Sequence, residues 1–340
     1  LVRSGDVSAS GGGVPWVRSV AVQSDGKILA GGYFSHFEGE PHKLIVRLNP
    51  NGSLDNGFLP PDYPLSSGPS GGWVNVVSVL ADGQIVLAGL FSEYRSDDDT
   101  PAIVCGNIVR IGPTGAVDTS FATGTGFNSA VTTLLPLADG GVLAGGGFSS
   151  FAGASATYCA RLTSGGALDW AGVGEVRCRG SVQVSVPVTD GKWIIGGGFA
   201  FVDGTPASGI ARLNADGTLD ASFVSGTGGS VRALAVQGDG RIIVGGSFRE
   251  FAGVACEGLV RLEANGAIDS LYMPQPSDYG FPAITSVALQ PDGRLILVGG
   301  LVRWPYLDRS AIMRLDRTGG RDAAFSQGNG FDSPPRCLSL

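Results

Sequence analysis

Residues 25–34 read Asp25-Gly26-Lys27-Ile28-Leu29-Ala30-Gly31-Gly32-Tyr33-Phe34, and residues 45–55 read Ile45-Val46-Arg47-Leu48-Asn49-Pro50-Asn51-Gly52-Ser53-Leu54-Asp55. Each is a short apolar, β-branched run next to an Asp-Gly or Asn-Gly pair. Such pairs between apolar runs are the strongest short-range hairpin signal, because a type I′ turn needs positive φ at both central residues. The stretch therefore predicts two hairpins in succession.

Outward from it, the pattern recurs. Asp-Gly returns at Asp25, Asp82, Asp139, Asp190, Asp239 and Asp292, at intervals of 49 to 57 residues. Seven residues after each Asp stands Gly32, Gly89, Gly146, Gly197, Gly246 or Gly299. Two further on stands Phe34, Phe91, Phe148, Phe199 or Phe248, with Leu301 in the last unit. An arginine follows in every unit, Arg47, Arg110, Arg161, Arg212, Arg261 and Arg314. Eight residues after each comes a second aspartate, Asp55, Asp118, Asp169, Asp220, Asp269 and Asp322. An aromatic usually lies three beyond (Phe58, Phe121, Phe223, Tyr272, Phe325), whereas the third unit has Gly172.

Four strands per unit follow from this frame. Strand A precedes the first Asp-Gly, as in Val17–Val22. Strand B follows it and carries paired glycines, which suit close approach of another backbone. Strand C ends in the arginine, and a short strand D carries the second aspartate. Four antiparallel strands repeated at this period predict an all-β fold, a β-propeller of six four-stranded blades forming a single domain over residues 1–340. Asp6 stands 12 residues before Arg18, as Asp220 does before Arg232, so residues 1–10 are expected to be strand D of a preceding repeat. Residues 336–340 are expected to begin strand A of a following one. A seven-bladed ring, or a slice of a longer array, stays open.

The composition agrees. The 340 residues include 56 glycines, 43% are hydrophobic, and only 16% are charged. A net charge of −7 without a basic cluster argues against a nucleic-acid partner. The apolar runs are too short for membrane insertion by a helix. The chain begins at Leu1 without a signal sequence, so it is expected to be processed or cut from something longer. None of the cysteines (Cys105, Cys159, Cys178, Cys256, Cys337) has zinc-finger spacing; Cys159 and Cys178 are close enough in sequence for a local disulfide, the alternative being buried thiols.

The quoted pattern resembles the delta-60 repeat family, and the resemblance spans all six units. It implies β-propeller modules of large bacterial surface or secreted proteins, hence an extracellular or cell-surface location. It implies no common activity.

Length variation falls on the D–A and B–C connections, which share one face of such a blade. The D–A segments at residues 59–72 and 273–282 are long, and residues 93–101 form the one B–C insertion. Loops on a rigid scaffold commonly carry function. Aromatics gather in the same class of segment: Trp16, Trp73, Tyr63, Tyr94, Trp170, Tyr279, Phe281, Trp304 and Tyr306. Exposed there, they would stack on a glycan or anchor a protein; otherwise Trp16 and Trp73 plug the gap between blades. Asp97, Asp98 and Asp99 offer oxygen ligands for calcium, against the reading of a solvated acidic loop. No other cofactor is indicated.

The six arginines and six second aspartates are expected to pair structurally, since a feature present in every unit serves the unit. His36 and His42 are the only histidines, and no nucleophile motif is placed for catalysis. Three functions remain: a non-catalytic binding or adhesion module, a structural spacer that self-associates through its terminal strands, and a carbohydrate-active enzyme with two facing carboxylates.

Overall fold

In the computed structural model the structure describes residues 7–9, 14–58, 65–66, 72–94, 103–169, 178–224, 226–272, 279–303, 312–325 and 337–338. The chain divides into two compact units, Leu1–Ala171 and Gly172–Leu340. Each unit contains three of the repeats. Apart from one 3-10 turn at Thr189–Gly191, all regular structure among the described residues is β. No helix there is long and apolar enough to cross a membrane.

Every repeat forms an antiparallel A–B–C sheet. In the first unit the strands are Trp16–Val22, Ile28–Tyr33 and Ile45–Leu48; Trp73–Val79, Ile85–Leu90 and Ile108–Ile111; and Val131–Pro136, Val142–Gly146 and Cys159–Leu162. In the second they are Val182–Pro187, Trp193–Gly197 and Ile210–Leu213; Ser230–Val236, Ile242–Ser247 and Leu259–Leu262; and Tyr279–Leu289, Leu295–Arg303 and Ile312–Leu315.

Both faces of a sheet are covered where it lies between two others. In repeat 2, Ile85 and Leu87 pack with Leu29 and Ile45 of repeat 1, while Val86 and Ala88 pack with Val131 and Leu134 of repeat 3. Hence strand B reads as a continuous apolar run instead of alternating. In the second unit Val231 and Val244 meet Ile194 and Ile210, and Ile243 and Ala233 meet Ile284 and Leu297.

Strand D differs from the expected strand. It shrinks to one bridge per repeat, for example Leu48↔Leu54 and Leu262↔Ile268. The aspartate one residue on ends it. Asp55 Oδ1 accepts from the Gly57 N–H at 3.0 Å, and the Asp55 carbonyl accepts from the Phe58 N–H. These local bonds turn the chain away from the ladder.

The turns also differ. At Asp25-Gly26 the Gly26 N–H bonds the Gln23 carbonyl, and only the glycine has positive φ, 81°. This is a three-residue loop closed by a glycine bulge, not type I′. True positive-φ pairs occur where none was expected, inside the B–C connection: Glu38-Gly39 (49°, 87°), Ala152-Gly153 (47°, 84°), Asp203-Gly204 (49°, 79°) and Ala252-Gly253 (47°, 80°). Each closes a two-residue-strand hairpin, such as His36–Phe37 with Glu40–Pro41. The segment before strand A adds to this hairpin, as in Phe127↔Phe151 and Thr227↔Phe251. Val7–Ser8 does the same in repeat 1, pairing with His36–Phe37; residues 1–6 and 10, which belong to the partial repeat expected at 1–10, lie outside the described residues. At the other end of the chain, the Leu338 N–H donates to Ser286 Oγ at 3.2 Å.

Candidate functional site

The backbone that positions Trp16 and Trp73 is encoded by the glycine seven residues after each first Asp. Strand A carries a bulge in every repeat, between Val17 and Ser19 in repeat 1 and between Val74 and Val76 in repeat 2. The bulge drives the carbonyl of the residue before it toward strand B. A Cβ at Gly32 would lie 2.0 Å from the Trp16 oxygen, and one at Gly89 would lie 2.0 Å from the Trp73 oxygen. Only glycine allows this approach. Both tryptophans are thereby fixed at the end of strand A that faces the B–C hairpins.

Across the two repeats the rings come together. The Trp16 and Trp73 centroids are 6.5 Å apart with a 58° tilt. Tyr33, opposite Trp16 in the strand pair, adds a third ring at 6.2 Å. All three side chains are partly buried and partly open to solvent. The patch combines ring faces with the polar edges of two indoles and a phenol, which suits stacking with directional hydrogen bonds. Tyr33 was not singled out from the sequence; its position directly after the paired glycines, across the ladder from Trp16, is the signal that would have found it.

The remaining aromatics are placed differently. Tyr94 is fully buried, and its hydroxyl donates to the Gly115 carbonyl at 2.5 Å. It belongs to the core shared by repeats 1 and 2, so it offers no ring to a ligand. Burial pushes its phenol well above the ordinary tyrosine range. Tyr279 and Phe281 lie in strand A of repeat 6, and their side chains are outside the described residues. Tyr63, Trp170, Trp304 and Tyr306 are also outside them, as are Asp97, Asp98 and Asp99. Among the described residues no group of three or more His, Cys, Asp or Glu is arranged to hold a metal ion. Cys159 and Cys178 are buried thiols and not a disulfide, and Cys105 is a buried thiol as well.

At the opposite end of each sheet the strand C arginines meet the second aspartates. The separations are 2.8 Å for Arg47–Asp55, 2.7 Å for Arg110–Asp118, 3.3 Å for Arg161–Asp169, 2.9 Å for Arg212–Asp220, 2.6 Å for Arg261–Asp269 and 2.8 Å for Arg314–Asp322. In every repeat but the third, which has Gly172 there, the same guanidinium stacks on the aromatic three residues past the aspartate, as Arg47 does over Phe58 at 4.4 Å and Arg261 over Tyr272 at 4.1 Å. It also reaches the next repeat: Arg110 Nη1 donates to the Ser164 carbonyl at 2.6 Å, and Arg261 Nη1 to the Arg317 carbonyl at 3.2 Å. One side chain thus closes its own C–D turn and ties it to the neighbouring one. This network is a repeated support, set apart from the aromatic patch.

Comparison with known proteins bears on the fold. No curated protein matches the chain. Among solved structures, the virginiamycin B lyase from Staphylococcus aureus is similar with TM-score 0.51 and 14% identity, covering 88% of this chain and 81% of that one. A streptogramin B lyase gives TM-score 0.51 and 12% identity, over 93% and 84% of the two chains. The computationally designed Ika8 protein gives 0.51 and 14%, over 98% and 93%. At these identities the likeness concerns fold alone. A family description, the domain of unknown function DUF5122 β-propeller, matches residues 23–58, 80–121, 137–169, 189–223 and 237–271, and these segments begin and end on the turns and Arg–Asp pairs described above. The chain therefore belongs to the DUF5122 β-propeller family.

Proposed function

We propose that this protein is a non-catalytic binding module of a bacterial surface or secreted protein, and that its ligand, a glycan or a protein, docks on the face carrying the B–C hairpins and D–A segments. The observation that carries this reading is the meeting of Trp16, Tyr33 and Trp73 at that end of repeats 1 and 2. Three partly open rings in one patch provide stacking area at low entropic cost. The variation in loop length on the same face supports it, because such loops alter recognition without disturbing the scaffold. We read the architecture as six four-stranded blades, with strand D reduced in length.

The test is a glycan-array screen of the folded domain, alongside Trp16→Ala and Trp73→Ala. Binding that falls by roughly tenfold or more in either variant, with an unchanged thermal melt, is the expected result. A folded domain that binds no glycan and captures no extracellular protein through these rings would overturn the reading in favour of a spacer.

A further inference from the structure

The positions that hold Trp16, Tyr33 and Trp73 in repeats 1 and 2 recur in repeats 4 and 5 with different chemistry. Trp16 and Trp73 stand nine residues before their turn aspartates, and the same place holds Ser181 before Asp190 and Ser230 before Asp239. Tyr33 stands eight residues after Asp25, and the same place after Asp190 holds Gly198. Three rings are thus replaced by two hydroxyls and an open backbone. The replacements all lie in the unit Gly172–Leu340.

Gly198 is exposed, and its N–H donates to the Ser181 carbonyl at 3.0 Å. A Cβ at Gly198 would lie 3.7 Å from Ser230 Oγ and 3.9 Å from both Gln183 Nε2 and Ser181 Oγ. Three half-buried polar side chains from two repeats therefore surround the place a side chain would take. Ser230 Oγ donates to Gln183 Oε1 at 3.2 Å, and Gln183 Nε2 donates to Ser181 Oγ at 3.5 Å. These bonds hold the amide between the repeats, and they leave the Ser181 hydroxyl proton and one Gln183 N–H for a ligand. Two arginines flank the slot. Arg232 follows Ser230 by two residues, at the bulge between Val231 and Ala233. Arg179 precedes Ser181 by two residues, with its guanidinium 5.7 Å from the Phe201 ring. Two residues of extended chain span about 7 Å, a distance that an arginine side chain covers. Both arginines are exposed, and among the described residues no ion pair joins either to a carboxylate, unlike the strand C arginines. The acid nearby in repeat 5 is Glu250, whose side chain lies over Gly228.

We infer that the slot over Gly198 binds a sugar carboxylate, the uronic acid residue of a glycan. Sugar hydroxyls need partners that both donate and accept, as two serines and a primary amide do. A carboxylate needs donors only, and an arginine fork supplies them in charge-assisted form. A uronic acid carries both kinds of group on one small ring, whereas a neutral sugar leaves the arginines unused and a simple anion leaves the hydroxyls and amide unused. The glycine floor lets that ring come close to the backbone. The inference takes one of the two ligand classes of the proposed function but rests on other residues, so the two can fail separately.

The experiment is a titration of the isotope-labelled protein with D-glucuronate, with glucose and with acetate at constant ionic strength, followed by backbone amide resonances. The expected result is saturable shifts at Ser181, Gly198 and Ser230 with glucuronate, at an affinity about tenfold or more above that for glucose or acetate. Gly198→Leu, which supplies the residue that repeat 2 has at this position (Leu90), should abolish the shifts by filling the slot. Arg232→Gln should weaken glucuronate binding about tenfold with an unchanged thermal melt. Trp16→Ala should bind glucuronate as the parent does, which separates this site from the aromatic patch. Absence of shifts, an equal response to glucose or acetate, or full glucuronate binding retained in folded Gly198→Leu or in Arg232→Gln would overturn the inference.

Discussion

Arg261 Nη2 lies 2.6 Å from Asp269 Oδ2, with 10% and 2% of the two side chains exposed. A second cation, Arg241, approaches the same oxygen at 3.3 Å, and Asp269 Oδ1 accepts from the Leu271 N–H at 2.9 Å. A buried carboxylate that is fully paired costs little, but removing it strands a buried guanidinium. Asp269→Ala should therefore lower stability by about 3 kcal/mol. Urea unfolding should show a lower midpoint with an unchanged slope.

The same pairs set the response to acid. Asp118 is held below the ordinary carboxylate range chiefly by the Ser120 hydroxyl, with the Ser120 N–H and Arg110 adding to it. Lys192 and the Ser222 hydroxyl hold Asp220 far lower still. For Asp55 and Asp269 burial works the other way but is outweighed by hydrogen bonds and neighbouring cations. A carboxyl depressed by folding contributes its full stability above its unfolded value, about 3.9, and loses it as pH falls through the folded value. Thermal midpoints should stay level from about pH 7 to 5 and fall steeply below about 4. Lys192→Gln should make that fall shallower.

The glycines fall into two classes with different costs. A Cβ at Gly89 would stand 2.0 Å from the Trp73 carbonyl oxygen, a backbone atom with nowhere to go. Gly153 has φ of +84° with nothing within 4 Å of an added Cβ. Gly153→Ala should cost about 1–2 kcal/mol, the price of a left-handed backbone. Gly89→Ala should cost about 3 kcal/mol or more. It should also change the tryptophan fluorescence, because Trp73 must move. Denaturant titrations of both variants, read by fluorescence, check the contrast.

Thiol chemistry should report on burial. Desolvation pushes the Cys105 thiol up to about 12 and the Cys256 thiol up to about 11, with Glu93 and Glu250 respectively adding to the effect. Since the thiolate is the reactive form, both should resist an aromatic disulfide reagent at pH 8 in the native state and react once the chain unfolds. Cys105→Ser alone should reduce the count of late-reacting thiols by one.

The sequence by itself determined the order of strands A, B and C within one repeat and the pairing across its short turn. A spacing of eight places arginine and aspartate across a short turn, and this pairing is legible without coordinates because strand C and the turn are contiguous. The glycine seven residues past each aspartate was legible as a close approach, although not as the answer to a bulge in strand A. Strand D was overread: an apolar residue before an aspartate looks like a strand, yet the Asp55 carboxylate captures the Gly57 N–H and stops the ladder. The hairpins in the B–C connection were missed because turns such as Ala152-Gly153 place a non-glycine residue at positive φ.

Only the tertiary structure decided what lies between repeats. Trp16 and Trp73 are 57 positions apart in the sequence, and no local rule brings their rings to 6.5 Å. Tyr94 shares its segment type with the half-buried Trp16 and Trp73, but packing of repeats 1 and 2 encloses it fully. Local periodicity encodes the backbone of each sheet. Which side chains are covered or left open follows from how successive sheets stack, and that depends on both neighbours at once.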